Sequence, residues 1–346
     1  MRQAGLILRG VALVMCALAL AAQSPPAPPA PSRQPPSPPP EQAPPIRIEV
    51  ELVNVVFNVT DEKSRLVSGL APEDFTVYED GVAQEIRYFT SETNMPLRIG
   101  LLIDTSNSVR PRFEFEQEAA VDFLHTVLRP KTDRAFILGF DVTPVVVQDY
   151  TDDPLDLADA IRSLRAGGGT ALYDAVYLAC KMKLSEGAGN NFRKMIILLS
   201  DGNDIYSTVT REETLEMCRR NDVTLFTVST SAPPIKYTQK AQHLQDPCEV
   251  MGEEGDKILR SLAESTGGVA YCPFDTIDVG RSFEEIANQL RTQYTLAYRP
   301  SNRIRDGTFR SITIETRRKD LRVHHRPGYY ARPLPGTAET GSNGEH

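Results

Sequence analysis

The stretch Leu97-Arg98-Ile99-Gly100-Leu101-Leu102-Ile103-Asp104-Thr105-Ser106-Asn107-Ser108 decides how this chain folds. Its first part is a nearly continuous apolar run, as expected of a strand covered on both faces of a sheet. The run stops at a carboxylate and two hydroxyls in Asp-x-Ser-x-Ser order. At the end of a buried strand these side chains can turn their oxygens toward one point above the sheet edge. Such a point suits a hard cation. Mg²⁺ takes oxygen ligands in near-octahedral geometry and keeps several waters, so one carboxylate with neutral hydroxyls holds it and leaves a position for an outside ligand. Ser and Asp are also common in turns, and the pentapeptide by itself reads first as an Asx-type turn.

Two later segments change that balance. Gly167-Gly168-Gly169 is followed by Thr170 and by Ala171-Leu172-Tyr173-Asp174-Ala175, which opens a helical pattern. A second apolar strand, Lys194 to Leu199, ends in Ser200-Asp201-Gly202-Asn203-Asp204. Ligands of open parallel sheets bind outside the carboxyl ends of the strands, so Asp201 is expected in the same crevice as Asp104. The triple glycine is not a phosphate cradle, because no Gly-Lys-Ser/Thr follows it and no Gly-x-Gly-x-x-Gly opens the first helix.

Taken together, the three segments resemble a von Willebrand factor type A domain with a complete metal-ion-dependent adhesion site. Asp104, Ser106 and Ser108 match its Asp-x-Ser-x-Ser signature, Thr170 the threonine of its second loop and Asp201 the aspartate of its third. The resemblance implies hydroxyl ligation by Ser106, Ser108 and Thr170, with Asp104 and Asp201 acting directly or through water. It implies Mg²⁺ as the ion, or Mn²⁺ or Ca²⁺ in its place. It also implies a partner protein that offers an exposed Asp or Glu to the open position.

Residues 96–292 alternate strand and helix patterns in the manner of a parallel sheet covered on both faces. Strands are expected at Arg98 to Ile103, Arg134 to Asp141, Pro144 to Gln148, Met195 to Ser200, Thr224 to Ser229 and Gly268 to Cys272. Helices are expected at Phe113 to Leu128, Pro154 to Leu164, Leu172 to Leu184, Arg211 to Asn221, Lys257 to Ser265 and Arg281 to Gln293. The third strand follows the second across a short turn and is read as an antiparallel edge. The long connection Ala232 to Gly255 reads first as a disulfide-tethered surface excursion, with a loop overhanging the metal edge as the alternative. The fold class is therefore α/β, a doubly wound, mostly parallel six-stranded domain of Rossmann-like type.

On either side the pattern is β. In residues 46–95, Val53, Val55, Phe57 and Val59 alternate after a phase slip from Ile48, Val50 and Leu52, a sign of a bulge or bend. Phe75 to Tyr78 and Val82 to Phe89 flank Glu79-Asp80-Gly81, a hairpin signal. In residues 293–332, strands are expected at Tyr294 to Tyr298, Ser311 to Thr316 and Leu321 to His325. Neither set suffices for an independent core. The economical expectation is one small β-sandwich-like domain built from both flanks, with the α/β domain inserted in it. Val59-Thr60-Asp61-Glu62-Lys63, Glu73 to Gly81 and Pro327 to Ala331 resemble exported bacterial proteins related to the same family.

Residues 1–22 carry Arg2 and Arg9 ahead of the apolar run Val11 to Ala22, the layout of a secretory signal peptide. Residues 23–45 form a Pro-rich linker, with 12 prolines in the 22 residues Ser24 to Pro45, an extended spacer. Residues 333–346 read as a disordered tail. Export to the periplasm, cell surface or medium, with association to the envelope, is the expected localisation. Beyond the signal segment, Cys180, Cys218, Cys248 and Cys272 allow three pairings, of which Cys248 with Cys272 is favoured. No Cys-x-x-Cys occurs, and His324-His325 reads as one solvent-facing and one sheet-facing strand residue. A net charge of −8 argues against nucleic acid as the partner.

The function expected is thus divalent-cation-dependent protein binding, for adhesion or as a scaffold, and not catalysis. A metal-dependent hydrolase and a structural module with a non-catalytic metal are the alternatives. No His or Glu constellation beside the loops supplies a general base for the first of these.

Overall fold

The computed structural model describes residues 52–62, 65–91, 95–185, 192–231, 254–273 and 276–331, all within the unit Val50–His346. The signal segment, the Pro-rich linker, most of the Ala232 to Gly255 connection with Cys248, and the tail lie outside the described residues. Val53, Val55, Phe57 and Val59 line one buried face of β1 (Val53–Asp61), as the period-2 geometry of a strand requires. β2 (Phe75–Glu79) and β3 (Val82–Gln84) form a hairpin through Asp80 and Gly81, both with positive φ, the geometry an Asp-Gly turn provides. β4 (Ile86–Thr90) completes the N-terminal flank.

The α/β region starts with β5 (Leu97–Asp104), α1 (Phe113–Val127), β6 (Arg134–Phe140), β7 (Pro144–Thr151) and α2 (Pro154–Ser163). It continues through α3 (Leu172–Leu178), β8 (Arg193–Ser200), α4 (Arg211–Arg220) and β9 (Val223–Ser229). It closes with α5 (Glu254–Glu264), β10 (Ala270–Tyr271) and α6 (Thr276–Arg291). The six strands lie in the order β10-β9-β8-β5-β6-β7. All neighbours are parallel except β7, which runs antiparallel at the edge. Side chains of β5 alternate between two cores. Ile99, Leu101 and Ile103 pack with α1, α2 and α6, and Leu102 packs with α3, α4 and α5.

Two helices depart from their sequence pattern. The helix expected over Leu172 to Leu184 is α-helical only to Leu178 and ends in a single π turn, Ala179–Lys183. α6 begins at Thr276 rather than Arg281, although Gly280 disfavours helix there. The buried Val279 and an Arg281–Asp278 ion pair outweigh that local cost.

β11 (Tyr294–Tyr298), β12 (Phe309–Thr316), β13 (Leu321–His325) and β14 (Gly328–Tyr330) form the C-terminal flank. Two four-stranded sheets result, β13-β1-β11-β4 and β14-β12-β2-β3, each with strands from both flanks. Phe57, Phe75, Phe89 and Tyr294 pack together at their interior, with Phe57 stacked on Tyr294 at 5.4 Å and edge-on to Phe75 at 5.0 Å. The expectation of one solvent-facing histidine in β13 is corrected. His324 Nε2 lies 2.9 Å from Thr60 Oγ1, and His325 Nε2 accepts the N–H of Ile314 at 3.2 Å. Burial lowers the pKa of both rings below the ordinary histidine value.

The sheet order fixes where a ligand can sit. β5 leads through α1 to β6 on one side, whereas β8 leads through α4 to β9 on the other. The strand order therefore reverses between β5 and β8, and the crevice of an open sheet opens at the carboxyl ends of two such strands. Asp104 and Ser200 are the residues at those ends.

Candidate metal centre

Asp104 is 1% exposed and both of its oxygens are engaged. Oδ1 accepts the backbone N–H of Ser106 at 2.8 Å, and Oδ2 accepts the hydroxyl of Ser200 at 2.6 Å. The first of these bonds curls the chain back at once after β5. That curl brings Ser106 Oγ and Ser108 Oγ to 2.8 Å from each other. The loop is tied down by backbone bonds from Thr105 to Phe140 and from Gly167 to Thr105. Arg110 adds a bridge, donating to Asn107 Oδ1 and to the carbonyl of Ala166.

The second loop is fastened to the first and to the third. Asn107 donates to the carbonyl of Gly168 through both its backbone and its side-chain nitrogen. The carbonyl of Thr170, a buried residue, accepts the N–H groups of Ile205 and Tyr206, each at 3.0 Å. Asp204 Oδ1 accepts from Leu172 and Tyr173 at the start of α3 and from the Ser207 hydroxyl. A carboxylate at that place satisfies N–H groups that have no partner within the helix.

Asp201 heads the third loop, is 7% exposed, and accepts the N–H of Asn203 at 3.0 Å. Gly202 follows it at φ +79°, and a Cβ there would lie 2.2 Å from the carbonyl oxygen of Gly255. Only glycine lets the Asp201 loop pass so close to the start of α5.

The structure thus places all five sequence-assigned residues, Asp104, Ser106, Ser108, Thr170 and Asp201, on three mutually fastened loops at the strand reversal. Among the described residues no group of three or more His, Cys, Asp or Glu stands together as a ligand set, so the donors on offer are mainly hydroxyls. Asp104 and Asp201, which have no basic partner among the described residues, give the site its charge. Burial pushes the Asp104 carboxyl up to about 6, against the lowering effect of its bonds from Ser200 and Ser106, and the charge of Asp201 pushes the same way as burial. Such a carboxyl is short of positive charge. The oxygen types, the burial and this deficit fit a divalent hard cation.

Two further residues, one bonded into the site and one buried near its first helix, were not identified from sequence alone. Ser200 stands next to Asp201 in the quoted motif, and its role emerges only when β5 and β8 become neighbours. Glu116 sits in the first turn of α1 at 1% exposure, and neither carboxylate oxygen has a hydrogen-bond partner. Burial raises its carboxyl to about 8; Arg112 opposes the rise, and the charges of Asp104 and Asp201 add to it. A signal for it existed in the spacing Phe113, Glu116, Ala120, Phe123 and Val127, which puts a glutamate on the inward face of an amphipathic helix.

Residues 99–203 match the von Willebrand factor type A domain family. A search of curated proteins found no match. Among solved structures, the chain is similar to the PilB minor pilin from Streptococcus sanguinis, with 13% identity, 58% of this chain and 62% of the pilin covered, and a TM-score of 0.41. The chain therefore spans less than two thirds of that pilin. It is also similar to the vWF domain of the type V pili tip protein Mfa5 from Porphyromonas gingivalis, with 12% identity, coverage of 57% and 96%, and a TM-score of 0.44. A third is proximal thread matrix protein 1 from the mussel byssus with a zinc-occupied MIDAS motif, with 15% identity, coverage of 62% and 50%, and a TM-score of 0.46.

Proposed function

We propose that this chain is an exported binding module that takes a divalent cation, Mg²⁺ first, at Asp104, Ser106, Ser108, Thr170 and Asp201, and captures a partner protein through an exposed Asp or Glu. The observation that carries this reading is the meeting of the Ser106 and Ser108 hydroxyls, 2.8 Å apart, beside the buried and charge-deficient Asp104. The family match over residues 99–203 supports it. When bound, the ion would supply positive charge and an open coordination position for an outside carboxylate.

The chain's own residues orient that chemistry. Ser106 N–H and Ser200 Oγ fix the Asp104 carboxylate without neutralising it, so its charge stays directed at the crevice. Arg110 and Arg112 are turned to other partners, Arg112 donating to the carbonyl of Ser231. Neither substitutes for a cation. The described histidines lie in the last turn of α1 and in β13, away from the three loops, which favours capture over hydrolysis. Export is proposed from the signal-like residues 1–22; no helix among the described residues is long and apolar enough to cross a membrane.

Calorimetric titration of the full chain with Mg²⁺ and Mn²⁺ tests the reading, with Asp104→Ala and Asp201→Ala expected to lose the signal while remaining folded. Capture of a protein from envelope extract should then depend on the cation and be reversed by chelator. A wild-type protein that binds neither ion overturns the proposal.

A further inference from the structure

Resting on the cation reading above, we infer that Ile205 and Tyr206 are an apolar rim of the same centre that selects, as partner, a protein segment whose acidic residue is flanked by bulky apolar side chains. Ile205 is 71% exposed and Tyr206 52% exposed. Large apolar side chains left this far in water contribute little to the fold, since burial is what makes such groups stabilising. A single exposed apolar residue is ordinary on any surface. These two are consecutive, and they stand on the third loop of the centre, beyond Asp201.

Their exposure does not come from a loose backbone. The N–H groups of Ile205 and Tyr206 both donate to the carbonyl of Thr170, each at 3.0 Å, so the rim is bonded directly to a residue assigned to the cation. The Tyr206 ring lies against Gly169, the residue before Thr170, where a Cβ would come to 2.1 Å from the ring Cε2. On the far side, Asp174 Oδ1 accepts the N–H groups of Thr208 and Val209, each at 2.9 Å. The rim is thus fixed before any partner arrives, and binding need not order it.

Charge decides what the rim fits. Gly167 to Ala171, Asn107 and Ser108 carry no charge. Asp204 is turned to the N–H groups of Leu172 and Tyr173, and Arg110 to Asn107 and the carbonyl of Ala166. With the ion bound, these loops offer an acceptor for one outside carboxylate, bordered by uncharged and apolar surface. The complement is a segment in which the acidic residue carries the sole charge. A second charge beside it, of either sign, would be desolvated against Ile205 and Tyr206 without a partner.

The experiment probes the full chain, with and without Mn²⁺, on immobilised peptides in which a central Asp or Glu is flanked by Leu, Tyr, Ser, Lys or Glu. The wild type is compared with Ile205→Ser, Tyr206→Ser and, as a control, Val82→Ser, at an exposed apolar position of the sandwich. With Mn²⁺, the wild type should be retained about fivefold more on Leu and Tyr flanks than on Ser flanks, and least on Lys and Glu flanks. Ile205→Ser and Tyr206→Ser should each reduce that preference to about twofold or less, whereas Val82→Ser should keep it. Mn²⁺-dependent retention that ignores the flanks overturns the inference and leaves the cation reading standing. A preference that survives in both rim variants overturns it too. So does a lowered thermal midpoint in either, since the rim would then be packed within the fold. Sedimentation showing a wild-type dimer that the rim variants dissociate also overturns it, because a second copy would then cover the rim. Retention of no acidic peptide by a chain that binds Mn²⁺ removes the inference together with partner capture. A wild type that shows no Mn²⁺ binding by calorimetry instead fails the cation reading itself.

Discussion

Ser200 donates its hydroxyl to Asp104 Oδ2 at 2.6 Å, joining the last residue of β8 to the last residue of β5. The two strands are neighbours in the sheet but nearly a hundred residues apart in sequence, so the bond closes only when the sheet is assembled. The same hydroxyl accepts the N–H of Gly202 at 3.1 Å, which passes the constraint on to the Asp201 loop. One serine thus holds the first and third loops of the candidate centre in register.

Ser200→Ala should therefore lower stability by about 1.5 to 3 kcal/mol, the range for a hydrogen bond to a charged partner that is left unsatisfied when it is removed. Both groups are buried, so water cannot replace the lost donor. Urea denaturation at pH 7.5 measures the loss. Cation affinity should fall in parallel, because Asp104 would no longer be held toward the crevice. An unchanged midpoint would mean that the Asp104 carboxylate is satisfied by some other group.

The raised Asp104 carboxyl, about 6 in the folded chain against 3.8 for an ordinary Asp, gives stability a pH dependence. The folded state holds this proton more tightly than the unfolded state. Its contribution is complete below pH 4 and is lost as the pH rises through 6. Asp104→Asn removes that loss. Without metal, the stability of Asp104→Asn relative to the wild type should rise between pH 4 and pH 7 by on the order of 2 to 3 kcal/mol. Taking the difference cancels the titration of His324 and His325, whose depressed pKa values act in the opposite direction. A flat difference across that range would show that Asp104 carries an ordinary carboxyl.

Most of this fold was legible because its signals are local and periodic. The apolar run ending at Asp104, the alternation Val53, Val55, Phe57, Val59 and the Asp80-Gly81 turn each specify an element by themselves. The small number of strands in each flank pointed to shared sheets, and β1 indeed pairs with β11 and β13. What stayed hidden depends on contacts distant in sequence. The Ser200 bond needs two strands side by side, and the early start of α6 is set by burial of Val279 against Gly280's preference. His324 and His325 read as ordinary strand residues until Thr60 and Ile314 are seen to bond them. Glu116 looked like one acidic residue among several in Phe113-Glu114-Phe115-Glu116-Gln117-Glu118, and only packing separates it from Glu118, which pairs with Arg162 on the surface.

The cysteines divide by environment. Cys180 and Cys218 are free and buried, facing each other closely enough to interact, and burial pushes the Cys180 thiol well up. Cys272 is disulfide-bonded, and the partner expected for it, Cys248, lies outside the described residues. Alkylation of unreduced protein should leave Cys180 and Cys218 unmodified in the folded state and label both after denaturation, since a buried thiol is out of the reagent's reach. Cys272 should be labelled only after reduction. Peptide mapping that finds Cys272 modified without reductant would refute this division.

The two flanks are also joined by a buried polar network that makes a sharper test of their union than strand pairing alone. Glu79, in β2 of the N-terminal flank, accepts from the hydroxyls of Tyr298 and Tyr329 at 2.8 and 2.9 Å, both from the C-terminal flank. Arg310 of β12 lies 3.7 Å from the other Glu79 oxygen, and both side chains are 2% exposed. Arg310 is further held by the carbonyls of Asn302 and Ile304. Removing Glu79 leaves the buried Arg310 with the exposed Asp306, 3.6 Å away, as its acidic neighbour, so Glu79→Gln should cost roughly 3 kcal/mol. Replacing both charges removes the buried cation as well, and Glu79→Gln with Arg310→Met should recover much of that loss. Because the network sits in the sheets and not in the crevice, cation affinity should be unchanged in both variants. Denaturant unfolding of the two single variants and the double variant completes the cycle. Strict additivity of the two single losses would show that Glu79 and Arg310 contribute independently and that the network does not bind the flanks to each other.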